Sequence, residues 1–170
     1  MKTLLLTLVL GLLCAQRPVT GVPKISGDWK SHSLASDNPD LIGEDGPFSQ
    51  HMHHMEFDVE SGYVLLSYSA KNGGECLRMS AFGKAVEDDV YQIDYYGTNR
   101  LKFVEVSDDY MLVTITNERA GNKVSQLTAI DVRGNTVDEK ALEKFKELTR
   151  EQNIPEENII NIFTEDCPVV

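Results

Sequence analysis

The chain has 170 residues, of which 16 are Lys or Arg and 27 are Asp or Glu, so its formal net charge is −11. Its 41% apolar and 25% charged residues are typical of one globular domain with a sizeable core. The acidity argues against nucleic acid and anionic membranes as partners, because their phosphates would be repelled, and no apolar run reaches the ~18 residues of a membrane-spanning helix.

The N-terminus has the pattern of a secretory signal peptide. Lys2 supplies a positive start, residues 4–13 form a short apolar core, and small residues follow. We therefore predict a signal peptide over residues 1–15, with cleavage after Gly21 as the alternative. The rest, residues 16–170, is predicted to be a single domain of a secreted, extracellular protein.

Three cysteines are present. Cleavage of the signal peptide would remove Cys14. A bacterial lipoprotein signal would instead make Cys14 the lipid carrier, but a small residue would then normally stand where Leu13 is. The remaining Cys76 and Cys167 can pair in only one way in an oxidising compartment, and two free thiols are the alternative.

The middle of the chain reads as short strands separated by turn signals such as Asn38-Pro39, Ser61-Gly62 and Gly121-Asn122. No helical crossover fits between the segments, which excludes a parallel sheet and predicts an antiparallel sandwich or barrel. Eight such strands are the number at which a closed barrel can hold one small ligand, and a solid core without a cavity is the alternative. The predicted strands are 27–36, 47–57, 62–70, 75–82, 90–96, 101–106, 110–117 and 123–132.

One helix is predicted after the last of these strands. Apolar residues from Val137 to Leu148 recur at spacings of three or four, and Thr136 with Glu139 has the pattern of a capping box. The helix should end before Pro155 and pack on the outside of the sheet, because strands already line the interior. Residues 158–163 are apolar enough for a last short strand.

The side chains predicted to point into the barrel are mostly apolar. They alternate along the strands as expected for one face, and Tyr95 adds a hydroxyl that could orient a ligand. The inward set read from the alternation is Phe48, Met52, Val64, Leu66, Ile93, Tyr95, Leu101, Phe103, Val113 and Ile115.

A histidine cluster is the most tempting chemical feature. His51 and His53 could point the same way from one strand and share a metal, although the sequence offers no marked third ligand. The simpler interpretation is that both are solvated on the outer face of a strand. Catalytic motifs such as G-x-S-x-G and H-E-x-x-H are absent. We therefore predict no metal, no cofactor and no enzyme activity.

Several motifs resemble those of lipocalins. Gly27-Asp28-Trp29 is similar to their G-x-W signature, Ser107-Asp108-Asp109-Tyr110 to a degenerate second signature, and Arg133-Gly134 stands where the third places its arginine. Cys76 and Cys167 match the single disulfide common in the family. Within it, the chain resembles odorant-binding, pheromone-carrying and dander-allergen lipocalins, through the stretches 35–38, 46–48, 96–99, 154–159 and 164–168. It departs from many of these in having Phe57 and Ser61 where they carry a Cys-x-x-x-Cys.

The resemblance implies an all-β fold, an eight-stranded antiparallel up-and-down barrel with one C-terminal α-helix packed outside. It also implies that Arg133 stacks on Trp29 beside Gly27 and closes one end of the barrel. Gln50 falls at a position that is often apolar in these relatives and could add a polar contact. The implied cavity wall consists of Phe48, Met52, Met55, Val64, Leu66, Ala81, Ile93, Tyr95, Leu101, Val113, Ile115 and Leu127.

The function that follows from the resemblance is a secreted carrier of small hydrophobic molecules, such as odorants, pheromones or similar volatiles. The expected partner is that ligand, and the expected assembly is a monomer or a weak homodimer. A secreted protein that signals or interacts through its surface is the alternative, and a metal-assisted enzyme using the histidines is a third hypothesis.

Overall fold

The computed structural model describes residues 25–72, 74–162 and 167, so the predicted signal peptide lies outside the described residues. Within this part of the chain, most residues lie in antiparallel strands that are joined by tight turns. The strands are β1 (Gly27–Asp28), β2 (Lys30–Ser36), β3 (Gln50–Asp58), β4 (Tyr63–Asn72), β5 (Glu75–Glu87), β6 (Val90–Asp94), β7 (Thr98–Val106), β8 (Tyr110–Arg119), β9 (Lys123–Val132) and β10 (Ile159–Asn161).

The strands form one antiparallel sheet that curls into a barrel, as predicted. Strands β3 to β9 follow one another as a meander, with order β1-β3-β4-β5-β6-β7-β8-β9-β2-β10. The predicted first strand is divided at Trp29 into β1 and β2, which pair with β3 and β9 at the two ends of the meander. This double pairing closes the barrel and leaves neither end of the meander unpaired.

Several strands are longer than the sequence predicts. Strand β5 was expected to end at residue 82 but continues to Glu87, through Gly83. This glycine is required by close packing, because a Cβ built on it would lie 2.6 Å from Val64 Cγ1. The glycine therefore marks a close approach inside the barrel and not the end of a strand. Strand β7 likewise begins at Thr98, three residues before the predicted start.

The single α-helix of the described residues, α1 (Glu139–Glu151), packs outside the barrel, as predicted. Its buried residues contact the outer face of β9, where Phe145 packs in one cluster with Ile130 and Val132. The predicted capping box is wrong: Asp138 is the N-cap, and its carboxylate accepts from Ala141 N at 2.7 Å. An aspartate at this position satisfies a free helix N–H as well as a threonine does, and here its extended backbone places it at the boundary.

The C-terminal segment returns along the barrel. Strand β10 pairs with β2, with Ile160 opposite Leu34, whereas Phe163 of the predicted tail strand lies outside the described residues. Cys167 is buried and forms a disulfide with Cys76 of β5, 91 residues earlier in the chain. In the described part of the chain, no helix is long and apolar enough to cross a membrane.

Candidate binding site

A cavity of about 90 Å³ lies inside the barrel. Because one water molecule needs about 10–15 Å³, a cavity of this volume has room for a small ligand of several non-hydrogen atoms. Most of its wall is apolar. The lining residues are Ser31, Ser33, Leu34, Phe48, Gln50, Met52, Met55, Leu66, Tyr68, Ala81, Ile93, Tyr95, Asn99, Leu101, Val113, Ile115, Ala129, Asp131 and Ile162.

The structure brings together most of the residues predicted for the cavity wall. Val64 and Leu127 are fully buried but do not line the cavity: Val64 packs in the core with Trp29, and Leu127 packs with Leu41 and Phe48. That any lining residue contacts a ligand stays a prediction. The predicted residues that line the cavity are Phe48, Met52, Met55, Leu66, Ala81, Ile93, Tyr95, Leu101, Val113 and Ile115.

Aromatic and aliphatic side chains cover the end of the barrel beside the loop between β2 and β3. Leu41, Ile42 and Phe48 of this loop are all buried. The ring of Phe48 meets Tyr95 edge to face, with centroids 5.6 Å apart. Tyr95 Oη donates to the Pro47 carbonyl at 2.7 Å. The hydroxyl that the sequence offered as a ligand contact therefore already anchors the loop, and its lone pairs remain able to accept.

The opposite end of the barrel is closed by Trp29 and Arg133. The Arg133 guanidinium carbon lies 4.0 Å from the indole centroid, and Nη2 donates to the Ser26 carbonyl at 3.1 Å. Trp29 Nε1 donates to the Ile25 carbonyl. Gly27 has a φ of +126°, and a Cβ there would lie 2.7 Å from Arg133 Nη1. The G-x-W motif thus fits here because only glycine leaves space for the guanidinium.

Besides Gln50 and Tyr95, the wall contains polar residues that sequence reasoning missed, among them Tyr68 and Asn99. Asn99 is fully engaged, since its Nδ2 donates to the Ile93 and Tyr95 carbonyls and its Oδ1 accepts from Asn117. Burial raises the pKa of Tyr68 to about 12, with a smaller contribution from Tyr95, so its hydroxyl is neutral at physiological pH. Asn99 therefore links the start of β7 to the end of β6, and neither side chain adds charge to the wall.

Asp131 contributes a carboxylic acid to the wall. It is 5% exposed, and burial raises its pKa to about 7, with a hydrogen bond from Ser31 acting in the opposite direction. The inward orientation of Asp131 could have been predicted from the sequence. Leu127, Ala129 and Asp131 alternate along β9, so an inward-facing carboxyl followed from the register.

The histidines do not form a metal site with other described residues. No group of three or more His, Cys, Asp or Glu among them could hold an ion. A register shift interrupts β3 between Met52 and His54, and His51 is buried at 5% exposure and not solvated as expected. His53 Nε2 lies 2.6 Å from Ser69 Oγ, and burial lowers the pKa of His53, with a smaller effect from Arg78.

The sequence matches the model of a known protein family. The sequence model of the lipocalin / cytosolic fatty-acid binding protein family matches residues 26–166. Allergen Bos d 2 of Bos taurus is 34% identical over 172 residues, covering 99% of this chain and 99% of the allergen.

Solved structures agree with this match. The crystal structure of a dog lipocalin allergen superimposes with a TM-score of 0.82 at 31% identity, covering 86% of this chain and 99% of that one. A complex of bovine odorant-binding protein with undecanal superimposes with a TM-score of 0.63 at 30% identity, covering 87% of this chain and 96% of the other.

Proposed function

Because the chain belongs to the lipocalin family, we propose that it is a secreted carrier that binds small hydrophobic molecules in the barrel cavity. Odorants, pheromones and similar volatiles are the ligand classes we expect. Membership also places the chain among binding and carrier proteins and not among enzymes.

The observation that carries the proposal is the apolar cavity itself. Met52 and Met55 form part of its wall, and methionine side chains are flexible enough to repack around ligands of different shape. The bovine odorant-binding protein that superimposes on this chain was solved with undecanal, an apolar aldehyde. Transfer of a small apolar molecule from water into a cavity with this lining is favourable.

Secretion is supported by two features. The N-terminal pattern is that of a signal peptide, and the Cys76–Cys167 bond requires an oxidising environment to form and persist. We further expect a monomer or a weak homodimer, without nucleic acid or membrane partners, because the net charge of −11 repels phosphate.

The test is a titration of the mature protein with a series of straight-chain alcohols, from hexanol to decanol, that displace a fluorescent apolar probe. Each buried CH₂ contributes about 0.8 kcal/mol, so affinity should rise about fourfold per carbon until the chain outgrows the cavity. No displacement by any alcohol would contradict the carrier function and favour a protein that acts through its surface.

A pair of tryptophan variants locates the site. Ala81 lines the cavity, whereas its neighbour Phe82 points outward and is 62% exposed. Ala81→Trp should fill the cavity and abolish displacement, while Phe82→Trp should bind like the parent. Both variants are checked for native circular dichroism, because overpacking can destabilise a core. Equal binding by the two variants would mean that the ligand is outside the barrel.

A further inference from the structure

Asp131 lies at the inner end of the cavity. Strand β9 runs toward the closed end of the barrel, where Arg133 follows, and on it Asp131 shares the inward face with Ala129. Met111 of β8 stands opposite, and α1 packs on the other face of β9. The carboxyl group is therefore the innermost ionisable group that a ligand in the cavity can meet.

Ser31 completes this end of the wall. It pairs with Asp131 across β2 and β9, and its hydroxyl hydrogen-bonds the carboxyl group. Ser31 Oγ also accepts from Met52 N at 3.0 Å, which leaves its proton directed to the carboxylate. The pair thus presents acceptor oxygens to the cavity, held in place by the backbone of β3.

The described residues offer this carboxyl group no cation. The lining residues include no lysine, arginine or histidine, and the other titratable groups among them are Tyr68 and Tyr95. On the flanking strand β2, Lys30 donates to an exposed side chain outside the barrel, and His32 Nδ1 lies 2.8 Å from Ser33 Oγ. Arg133, which directly follows β9, belongs to the cation–π stack. A positive charge for this site must therefore come from a ligand.

We propose that Asp131 and Ser31 form a polar subsite at the inner end of the cavity, which takes the ammonium head of a lipophilic amine and rejects carboxylates. The inference rests on the proposed carrier function and specifies the chemistry of its ligand. Its physical basis is that the carboxylate has already lost its hydration on folding, so a bound ammonium restores the lost interaction at no further cost to the protein. A second carboxylate placed there would repel the first.

The experiment compares octylamine, octanol and octanoate by calorimetry at pH 8, where Asp131 is mostly ionised. A hydrogen bond to a charged group makes the amine bind at least about tenfold tighter than octanol, and repulsion makes octanoate bind at least about tenfold more weakly. In Asp131→Asn, the preference for the amine over octanol should fall below about threefold, and octanoate should gain about tenfold relative to octanol.

A second measurement uses the unaltered protein. If only the ionised form of Asp131 takes the ammonium, affinity for octylamine should fall by nearly 100-fold from pH 8 to pH 5, because the competent fraction falls by that factor around a pKa of about 7. Octanol affinity should change less than about threefold, since its head group is neutral and has no charged form to match.

The outcomes separate the two proposals. If octanol fails to bind the parent protein, the carrier function is wrong and the subsite falls with it. If octanol binds but the amine shows neither the preference nor the pH dependence, the carrier function stands and the subsite is wrong.

Discussion

Replacing the buried Asp131 with asparagine should change how stability depends on pH. Burial raises the pKa of Asp131 to about 7 in the folded state, from an ordinary value of 3.8. Between these values the folded state binds more protons than the unfolded state, so this carboxyl group lowers stability as pH rises. The full shift corresponds to about 4 kcal/mol in the free energy of unfolding. This stability is lost mainly between pH 4 and pH 7, and the loss is constant above about pH 8.

The measurement is urea unfolding of the parent and of Asp131→Asn at pH 4, 5, 6, 7 and 8. The difference between the two proteins cancels the titration of every other carboxylate. From pH 4 to pH 8, the free energy of unfolding of the variant should rise by about 4 kcal/mol relative to that of the parent. A fixed cost of the altered bond to Ser31 would shift this difference equally at every pH. Asp94→Asn, at an exposed position on β6, serves as the control for replacing an aspartate at the surface. A difference between the parent and Asp131→Asn that does not change with pH would refute a buried carboxyl group without a counter-ion.

Three further changes test the packing. Replacing Cys76 and Cys167 with serine should lower the free energy of unfolding by about 2–5 kcal/mol, because the bond closes a long loop in the unfolded chain; an unchanged urea midpoint would contradict this. Trp29→Ala should cost about 3–5 kcal/mol by emptying the site under Arg133, and a loss below about 1 kcal/mol would argue against that packing. Phe145→Ala should cost about 3–5 kcal/mol by the same measurement and leave octanol affinity unchanged, since α1 lies outside the barrel; weaker binding by the folded variant would count against this.

The direction in which side chains point could be predicted from the sequence, but their depth in the barrel could not. Strand alternation turns Val64 and Leu127 inward together with Leu66 and Val113. Only the closed barrel determines that Val64 packs near the closed end and Leu127 near the loop, with the cavity between them. Depth depends on strand tilt and stagger, and these arise from pairing across the whole sheet.

Two other features depend on tertiary contacts in the same way. His51 was expected to be solvated on the outer face of a strand, but it is buried and borders a groove that Ile160 and Ile162 of the returning segment also line. Asp131 was missed for a different reason. Inward-facing positions were predicted from their apolar character, and Asp131 is charged, although strand alternation on β9 places it on the inward face.

The central claim, that small hydrophobic ligands bind inside the barrel, is tested most directly by NMR of methionine methyl groups. Met52 and Met55 both line the cavity. Octanol added to protein labelled at methionine methyls should shift the signals of Met52 and Met55 in a saturable way. The absence of any saturable shift at these two residues at saturating octanol would contradict binding in the cavity.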